Sequence, residues 1–371
     1  MDKDVTRTFA RFASELVYDD IPQSARDHSR HLLLDALACA LAGYEGEDTP
    51  KVARFAAALG QSQEAGVIGG GRLSLAGATA LNGFLITAVS MCDVYRPTAT
   101  HLQPVVVPPA LAIAEREDAS GRDLLVALAA GFETATRIGA GLDYQAFRQR
   151  GWHGPGVIGP FGAAAAVGRI LGFDADKMAM AYGLAGSQAA GTFAAWGTSS
   201  VKFHQFRGAL SGLMAALLAG QGFVATREFL TAPDGGFYST YCGGGPSDAA
   251  TADLGVRWEL EQIALRPWPT SAANQGLVSA LFELIQQHDL TADRVSRLRI
   301  HLSQASYDAY AHRRTISGKW EASGSVYYTA AVVLHDRELW MDQFEPARHN
   351  DPGLRRFAME RVELLSDPAL T

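Results

Sequence analysis

Cysteine, charge and long apolar runs are all scarce in this sequence, and each shortage excludes a class of protein. The three cysteines Cys39, Cys92 and Cys242 lie far apart and predict neither a disulfide framework nor a zinc site, as expected in a reducing cytoplasm. No basic stretch offsets the net charge of −7, which argues against nucleic-acid or anionic-membrane partners. The longest apolar runs are too short to cross a bilayer, and no signal peptide is evident. We therefore expect a cytoplasmic protein that does not associate with membranes.

The common sequence motifs of cofactor and metal sites are also missing. Residues 69–71 are three glycines, but they lack the spacing and the strand–helix context of a nucleotide-binding loop. No HExxH, CxxC or GxSxG pattern occurs, so neither a motif-type metal site nor a serine hydrolase is indicated. We expect no cofactor and no metal. A small anionic substrate stays compatible with the acidic chain, because a local cationic pocket can form within it.

Small and apolar residues are abundant, with 38 glycines and 48% hydrophobic residues. Up to about Leu230 the apolar residues recur at helical spacing, and Gly43 ends one such run. Residues 210–219 are apolar nearly all round, which predicts a helix in the middle of a bundle. The predicted helices cover residues 30–42, 108–115, 124–139, 162–171, 177–187 and 210–220.

The pattern changes after Leu230. Helix-like runs at residues 276–288 and 322–334 flank a strand-like alternation at 295–302, and a second strand is predicted at 361–366. Helix, strand and helix in this order favour a small α+β domain. We predict a mainly α fold with two domains, an all-helical one over residues 1–262 and an α+β one over 263–371 that looks incomplete at its C-terminal end.

The most informative segment is the Gly/Pro-rich loop at residues 151–156, which contains His153. A helix that begins just after this loop would aim free N–H groups and its positive dipole end toward it, which favours an anion. An imidazole at that position is suited to acid–base chemistry on a carboxylate. The structural alternative is a tight helix–helix connection with a partly exposed histidine.

A second polar segment, at residues 91–104, places Asp93 and His101 between two helical runs. Asp93 could orient His101, or act as a base itself if burial raises its pKa. The alternative is a polar turn in which Asp93 or Thr100 caps a helix.

Two further clusters carry positive charge. Lys202, His204 and Arg207 precede the apolar helix and could clamp carboxylates, unless they form a solvated helix start. Arg266 precedes two prolines, Pro267 and Pro269, at the expected domain junction. There it could face a cleft or belong to a rigid linker.

Many short segments carry a common pattern in a fixed order along the chain. They lie at residues 32–43, 80–83, 93–101, 108–115, 131–137, 151–166, 185–191, 202–219 and 321–331. Together they resemble the MmgE/PrpD family, which includes 2-methylcitrate dehydratase, cis-aconitate decarboxylase and iminodisuccinate epimerase. The resemblance implies a large all-helical domain, a smaller α+β lid domain, a homodimer, and a cofactor-free active site in the cleft between the domains.

The resemblance also implies roles for individual residues. His101 and His153 match the two active-site histidines of the family. Lys202 matches its lysine ahead of the apolar helix, with a spacing one residue short. Asp93 falls in an acidic motif where typical members carry two or three aspartates.

Other positions depart from the family pattern. Leu102 follows His101 where a proline is usual. Arg266 and Ser271 correspond to a basic residue and to a position usually held by His or Cys, while Asn274 replaces a downstream histidine. The chain also ends after the second strand, where members usually continue.

From these features we expect a cofactor-independent lyase or isomerase acting on a small carboxylate. It would remove a proton alpha to a carboxylate or carbonyl, with dehydration, decarboxylation or epimerisation as outcomes that the sequence leaves open. His101 and His153 would be the acid–base pair, Asp93 would orient one of them, and Lys202 would stabilise the developing charge. The residues expected to bind the substrate are His204, Arg207, Arg266 and Ser271.

The departures also support a second hypothesis, a family-derived binding or scaffold protein that has lost catalysis. A specialised biosynthetic enzyme with a changed substrate lies between the two.

Overall fold

The computed structural model describes residues 5–370 and is 64% helical. The helices are α1 (Val5–Glu15), α2 (Gln23–Ala42), α3 (Thr49–Ala58), α4 (Leu75–Ala88), α5 (Gln103–Arg116), α6 (Gly121–Ala140), α7 (Tyr144–Gln149), α8 (Gly154–Val157), α9 (Gly159–Ile170), α10 (Ala175–Gly186), α11 (Ser200–Gly220), α12 (Phe237–Cys242), α13 (Gln275–His288), α14 (Gln304–Tyr310), α15 (Lys319–Gly324), α16 (Val326–Asp336), α17 (Pro346–His349) and α18 (Pro352–Glu360).

Strands are short and pair two by two within the described residues. They are β1 (Ala65–Gly66), β2 (Arg72–Leu73), β3 (Val94–Tyr95), β4 (Ile263–Ala264), β5 (Leu298–Leu302) and β6 (Val362–Ser366). The pairs β1–β2 and β3–β4 are antiparallel, whereas β5 and β6 run parallel. The prediction of a mainly helical fold with a smaller α+β part is confirmed.

The chain divides into two compact units between Leu265 and Arg266. The first unit contains α1 to α12 and the first four strands, and the second contains the remaining elements. The domain boundary predicted after residue 262 stays a prediction.

Helix α9 is the central helix of the first unit, and it packs against α1, α5, α6, α10 and α11. Glycines make the closest of these approaches possible. A Cβ on Gly131 of α6 would lie 2.7 Å from the carbonyl oxygen of Gly162 on α9, and one on Gly162 would lie 2.6 Å from that of Gly131. The two backbones therefore touch directly, which larger residues would prevent.

Helix α11, which contains the apolar run 210–219, packs against α4, α5, α9 and α10, as a helix inside a bundle does, and one narrow face stays exposed. Phe203, Met214 and Leu218 are exposed on this face, while Ala209, Ala215 and Ala216 are buried. The small residues allow close packing against α9, and the larger Phe206 and Leu213 are buried beside them.

Helix α11 also begins ten residues earlier than its apolar run predicts. It starts at Ser200, so Lys202, His204 and Arg207 lie within its first turns rather than in a loop ahead of it. The apolar run misplaced the start because the first turns carry polar side chains, although Lys202 and His204 are buried.

The second unit is built around the parallel pair β5–β6, in which Ile300 faces Leu364. Parallel strands need a long crossover, and α14 to α18 provide it. Helix α16 is buried along nearly its whole length and forms the core with α13 and α18.

None of the described helices combines the length and the apolar character needed to cross a membrane.

Candidate active site

Two histidines from distant parts of the chain meet inside the first unit. The Nδ1 atoms of His153 and His204 lie 3.0 Å apart, and both residues are buried. His153 directly precedes α8, whereas His204 lies in the first turns of α11. At this distance one imidazole donates its Nδ1 proton and the other accepts it.

A short backbone pairing holds His153 in place. Its N–H donates to the carbonyl oxygen of Gly191 at 3.0 Å, and the N–H of Phe193 donates to the carbonyl oxygen of Gly151 at 2.8 Å. Gly191 also lies flat against the ring of His204, because a Cβ there would lie 2.9–3.1 Å from three ring atoms. The segment that positions one imidazole therefore also packs against the other.

Burial keeps both imidazoles neutral. It lowers the pKa of His153 well below its ordinary value, and the nearby His101, His204 and Arg148 lower it further. Burial also lowers the pKa of His204, helped by the positive charge of Arg207. A neutral imidazole can accept a proton at one nitrogen and donate from the other, as acid–base chemistry requires.

His101 lies on a second loop and is held by the backbone. Its Nδ1 lies 2.5 Å from the carbonyl oxygen of Asp93. The Asp93 carboxylate instead accepts hydrogen bonds from the N–H groups of Leu102, at 2.9 Å, and Gln103, at 3.0 Å. Asp93 therefore fixes the start of α5 through its side chain and contacts His101 through its main chain.

The two histidine loops are in direct contact. A Cβ on Gly154 would lie 2.2 Å from the hydroxyl oxygen of Thr100, so the residue after His153 packs against the residue before His101. Glycine is required there because any side chain would collide with Thr100. This contact places His101 and His153 in neighbouring loops, consistent with the electrostatic effect of His101 on His153.

Lys202 is buried at the start of α11, and its ammonium group donates to the carbonyl oxygen of Ala88. Ala88 is the last residue of α4, three positions before the loop that carries Asp93 and His101. Hydrogen bonds from Lys51 and Ser199 lower the pKa of Asp48, and the charge of Lys202 adds to this effect. A buried ammonium group thus lies near the beginning of the His101 loop.

Arg207 joins two backbone segments through three carbonyl oxygens. Its guanidinium group donates to the carbonyl oxygens of Gly156 at 2.9 Å, Ala190 at 2.6 Å and Gln188 at 2.6 Å. These segments adjoin the two histidines, so Arg207 supports the backbone around them, and its predicted contact with a substrate carboxylate stays a prediction. Its positive charge still acts on His204.

Sequence reasoning missed Phe193 and Arg148. The ring of Phe193 meets that of His153 edge to face at 4.8 Å, and the guanidinium of Arg148 lies 3.4 Å from the Phe193 ring centre. Arg148 also donates to the carbonyl oxygen of Trp152 at 2.8 Å. The proximity of Arg148 to the 151–156 loop in sequence was the one available signal.

Within residues 5–370, one group of side chains has the composition and spacing to hold a metal ion. Ligand atoms of Cys92, Asp93 and His101 lie within 4.8 Å of one another. Asp93 already binds two backbone N–H groups, so coordination would have to compete with the start of α5.

Arg266 and Ser271 belong to the second unit. Arg266 is buried and donates to the carbonyl oxygen of Thr270 at 3.3 Å. The N–H of Ser271 donates to the carbonyl oxygen of Ser323 at 3.2 Å, and the amide of the buried Asn274 donates to Thr270 and Thr329. Backbone and amide hydrogen bonds therefore hold this turn, whereas the buried Ser271 Oγ has no hydrogen-bond partner within the described part of the chain. The substrate contacts predicted for Arg266 and Ser271 stay a prediction.

The chain thus combines a helical first unit that contains a buried pair of histidines with a smaller α+β unit. Comparison with known families identifies the class of this protein. The MmgE/PrpD N-terminal domain matches residues 7–249, and the MmgE/PrpD C-terminal domain matches residues 268–371. The chain belongs to the MmgE/PrpD family, and thereby to dehydratase- or decarboxylase-type lyases, as the sequence predicts.

Within the family, the chain is similar to several curated proteins. The chain is 31% identical over 370 residues to a cis-aconitate decarboxylase-like protein of Aspergillus oryzae, covering 92% of this chain and 76% of the relative. It is 28% identical to a cis-aconitate decarboxylase of Aspergillus terreus, covering 92% and 74%. It is 26% identical to the cis-aconitate decarboxylase of Mus musculus, covering 99% and 77%.

Proposed function

We propose that this protein is a cofactor-independent lyase that decarboxylates a small polycarboxylic acid of the cis-aconitate type. The observation that carries the proposal is the pair of buried, neutral imidazoles His153 and His204, with His101 on the adjoining loop. The relatives named as cis-aconitate decarboxylases support this choice over dehydration and epimerisation.

The chemistry of decarboxylation explains why such residues are useful. Breaking the bond between a carbon and its carboxylate releases carbon dioxide and leaves an electron pair on that carbon. An N–H acid must then protonate the carbon, and a positioned acid or base of this kind contributes a factor of about 10²–10⁴ in rate. His153 and His101 are the candidates for this acid and for the base that restores it.

Cations support the same reaction from nearby. A buried ammonium group such as that of Lys202 stabilises a substrate carboxylate and the negative charge that develops as the bond breaks. Arg207 supports His204, and Arg148 acts on His153 electrostatically. Substrate contacts from Arg266 and Ser271 are part of the proposal through the family resemblance.

The test is direct incubation of the purified protein with cis-aconitate and with a panel of citrate-like and succinate-like acids in deuterated water. We expect carbon dioxide release from an aconitate-like acid and one deuterium bound to carbon in the product, both measured by NMR. Deuterium exchange without carbon dioxide release would favour an isomerase. A protein that neither exchanges nor releases anything across the panel would contradict the proposal and support a non-catalytic binding protein.

The protein is further proposed to be a homodimer. Phe55 of α3 and Phe203 of α11 are both exposed, and both rings contact the buried Phe206, at 6.3 and 5.3 Å. Exposed aromatic residues that pack on the same buried ring mark a surface suited to a partner. A cytoplasmic location stays a prediction, with which the burial of all three cysteines agrees.

A further inference from the structure

The contact between His153 and His204 has a specific consequence for where protons can lie. Two neutral imidazoles whose Nδ1 atoms are 3.0 Å apart can hold only one proton between those atoms. The imidazole that donates through Nδ1 has a free lone pair at Nε2. The imidazole that accepts through Nδ1 carries its own proton at Nε2. The pair therefore presents one basic and one acidic nitrogen at its two outer ends.

The surroundings of the pair oppose any state in which it carries a net charge. Both rings are buried, and burying an unpaired imidazolium is costly. The groups that act on His153 are His101, His204 and Arg148, and the group that acts on His204 is Arg207. All of them disfavour a positive charge on the pair.

The rings are also held too firmly to turn apart. Gly191 has no side chain, so its Cα lies against the ring of His204. Its carbonyl oxygen accepts a hydrogen bond from the N–H of His153. Phe193 packs against the other ring edge to face. Arg207 binds the carbonyl oxygens of Gly156 and Ala190, two neighbouring residues next to the contact.

Resting on the function proposed above, we propose that His153 and His204 form a neutral proton relay in which His204 is the positioning residue that lets His153 transfer a proton without becoming charged. When the basic Nε2 of one ring takes up a proton, the proton between the two Nδ1 atoms crosses to the other ring. In the same step the second ring releases its Nε2 proton to an acceptor at its outer end, a substrate oxygen or water, so that neither ring is left as an imidazolium. One proton enters, one proton leaves, and the pair is neutral before and after.

The kinetic test replaces His204 with glutamine. The amide oxygen of glutamine can accept the Nδ1 proton of His153 and hold its orientation, but it cannot pass a proton on. We expect His204→Gln to lower kcat by about 100-fold or more, with KM changed by less than about threefold. The proton inventory, measured as kcat in mixtures of light and heavy water, is expected to change from a curved to a linear dependence.

The matched control is His288→Gln, which removes an exposed imidazole on α13. It is expected to leave kcat, KM and the proton inventory unchanged. A folded His204→Gln variant with the wild-type kcat and a wild-type proton inventory would overturn the relay and leave His204 as a packing residue. If His204→Gln does not fold, as judged by circular dichroism, the NMR measurement described next decides the question.

An activity-independent readout uses protein labelled with ¹⁵N in its histidine rings. We expect one buried ring protonated at Nδ1, one protonated at Nε2, and a scalar coupling between the two Nδ1 nitrogens across the hydrogen bond. His153→Gln and His204→Gln assign the signals. Two rings both protonated at Nε2, with no coupling, would overturn the shared proton.

The two proposals fail in different ways. A wild-type protein that is inert toward every acid in the panel contradicts the proposed function. A wild-type protein that is active but lacks the Nδ1–Nδ1 coupling contradicts the relay alone.

Discussion

Burial lowers the pKa of His153, and this shift affects both the proton transfer by the side chain and the free energy of unfolding. The neutral ring is useful as a base and an acid near neutral pH, and the same burial makes the fold sensitive to acid. The residue that the sequence singled out in a flexible-looking loop is therefore held in a rigid and nearly solvent-free position.

The first residue-scale prediction concerns activity. His153→Ala and Lys202→Ala are each expected to lower kcat by about 100-fold or more, because one removes a proton-transfer group and the other a buried cation. The measurement is turnover of the best acid from the panel, with folding checked by circular dichroism. Lys177→Ala, at an exposed lysine of α10, is the control and is expected to behave as wild type. Wild-type rates in both test variants would remove these residues from the catalytic assignment.

The second residue-scale prediction concerns pH. The pKa of His153 is lower in the folded chain than its ordinary value of 6.5, so below about pH 6.5 the unfolded chain binds more protons than the folded one. The free energy of unfolding is therefore expected to fall as the pH drops below that value, by up to about 1.4 kcal/mol per pH unit for one imidazole.

Urea unfolding at about pH 7 and about pH 5.5 measures this loss. His153→Gln is expected to reduce the loss, whereas His31→Gln, which removes an exposed imidazole on α2, is expected to leave it unchanged. Equal losses in wild type and His153→Gln would contradict the assignment of acid sensitivity to this residue.

At the scale of elements, the start of α5 depends on a side chain ten residues before it. Asp93 is fully buried, and its carboxylate accepts the N–H groups of Leu102 and Gln103. In return, the side-chain oxygen of Gln103 accepts the N–H of Asp93 at 3.1 Å. The carboxylate of Asp93 also interacts favourably with the positive end of the helix dipole.

Asp93→Ala is accordingly expected to lower the free energy of unfolding by about 2 kcal/mol or more, since it leaves buried N–H groups without partners. Asp174→Ala removes a comparable contact to Lys177 at the exposed start of α10 and should cost only about 1 kcal/mol. Denaturant unfolding of both variants measures the difference. Equal costs would show that burial does not strengthen the contact of Asp93.

The backbone at Gly191 gives a second prediction at this scale. Gly191 has a φ of +118°, and a Cβ there would collide with the ring of His204. Gly191→Ala is expected to displace His204 and lower both kcat and the melting temperature. Gly197 also has a positive φ, of +81°, but open space around it.

Gly197→Ala therefore carries the backbone strain, of about 1 kcal/mol, without the collision. A larger loss of kcat in Gly191→Ala than in Gly197→Ala isolates the effect of displacing the imidazole. The same kcat in both variants would contradict a role for the Gly191 contact.

At the scale of the whole molecule, the exposed aromatic surface of Phe55 and Phe203 predicts self-association. Phe55→Glu combined with Phe203→Glu is expected to convert a dimer into a monomer in analytical ultracentrifugation, because it places charges where apolar rings would pack. Val256→Glu, at a highly exposed site on another loop, is the control. A wild-type monomer, or a dimer unaffected by the double substitution, would contradict this surface as the interface.

Sequence patterns predicted the elements well where each depends on local periodicity. Residues 276–288 were predicted as a helix and form α13, and residues 361–366 were predicted as a strand and form β6. The sequence patterns did not predict the start of α11, because its first turns carry polar residues that other segments of the chain cover. Periodicity cannot detect that, since the covering segments are far away in sequence.

For the candidate site, the sequence alone determined the family, the mainly helical fold and a short set of residues able to move protons or hold a carboxylate. Only the tertiary structure decided how those residues are used. It brought His153 and His204 into contact although 51 positions separate them in the sequence. It also directed the Asp93 carboxylate toward the start of α5 and the Arg207 guanidinium toward backbone carbonyl oxygens. The physical reason is that motifs record which groups are present, whereas hydrogen-bond partners and burial depend on contacts between distant segments.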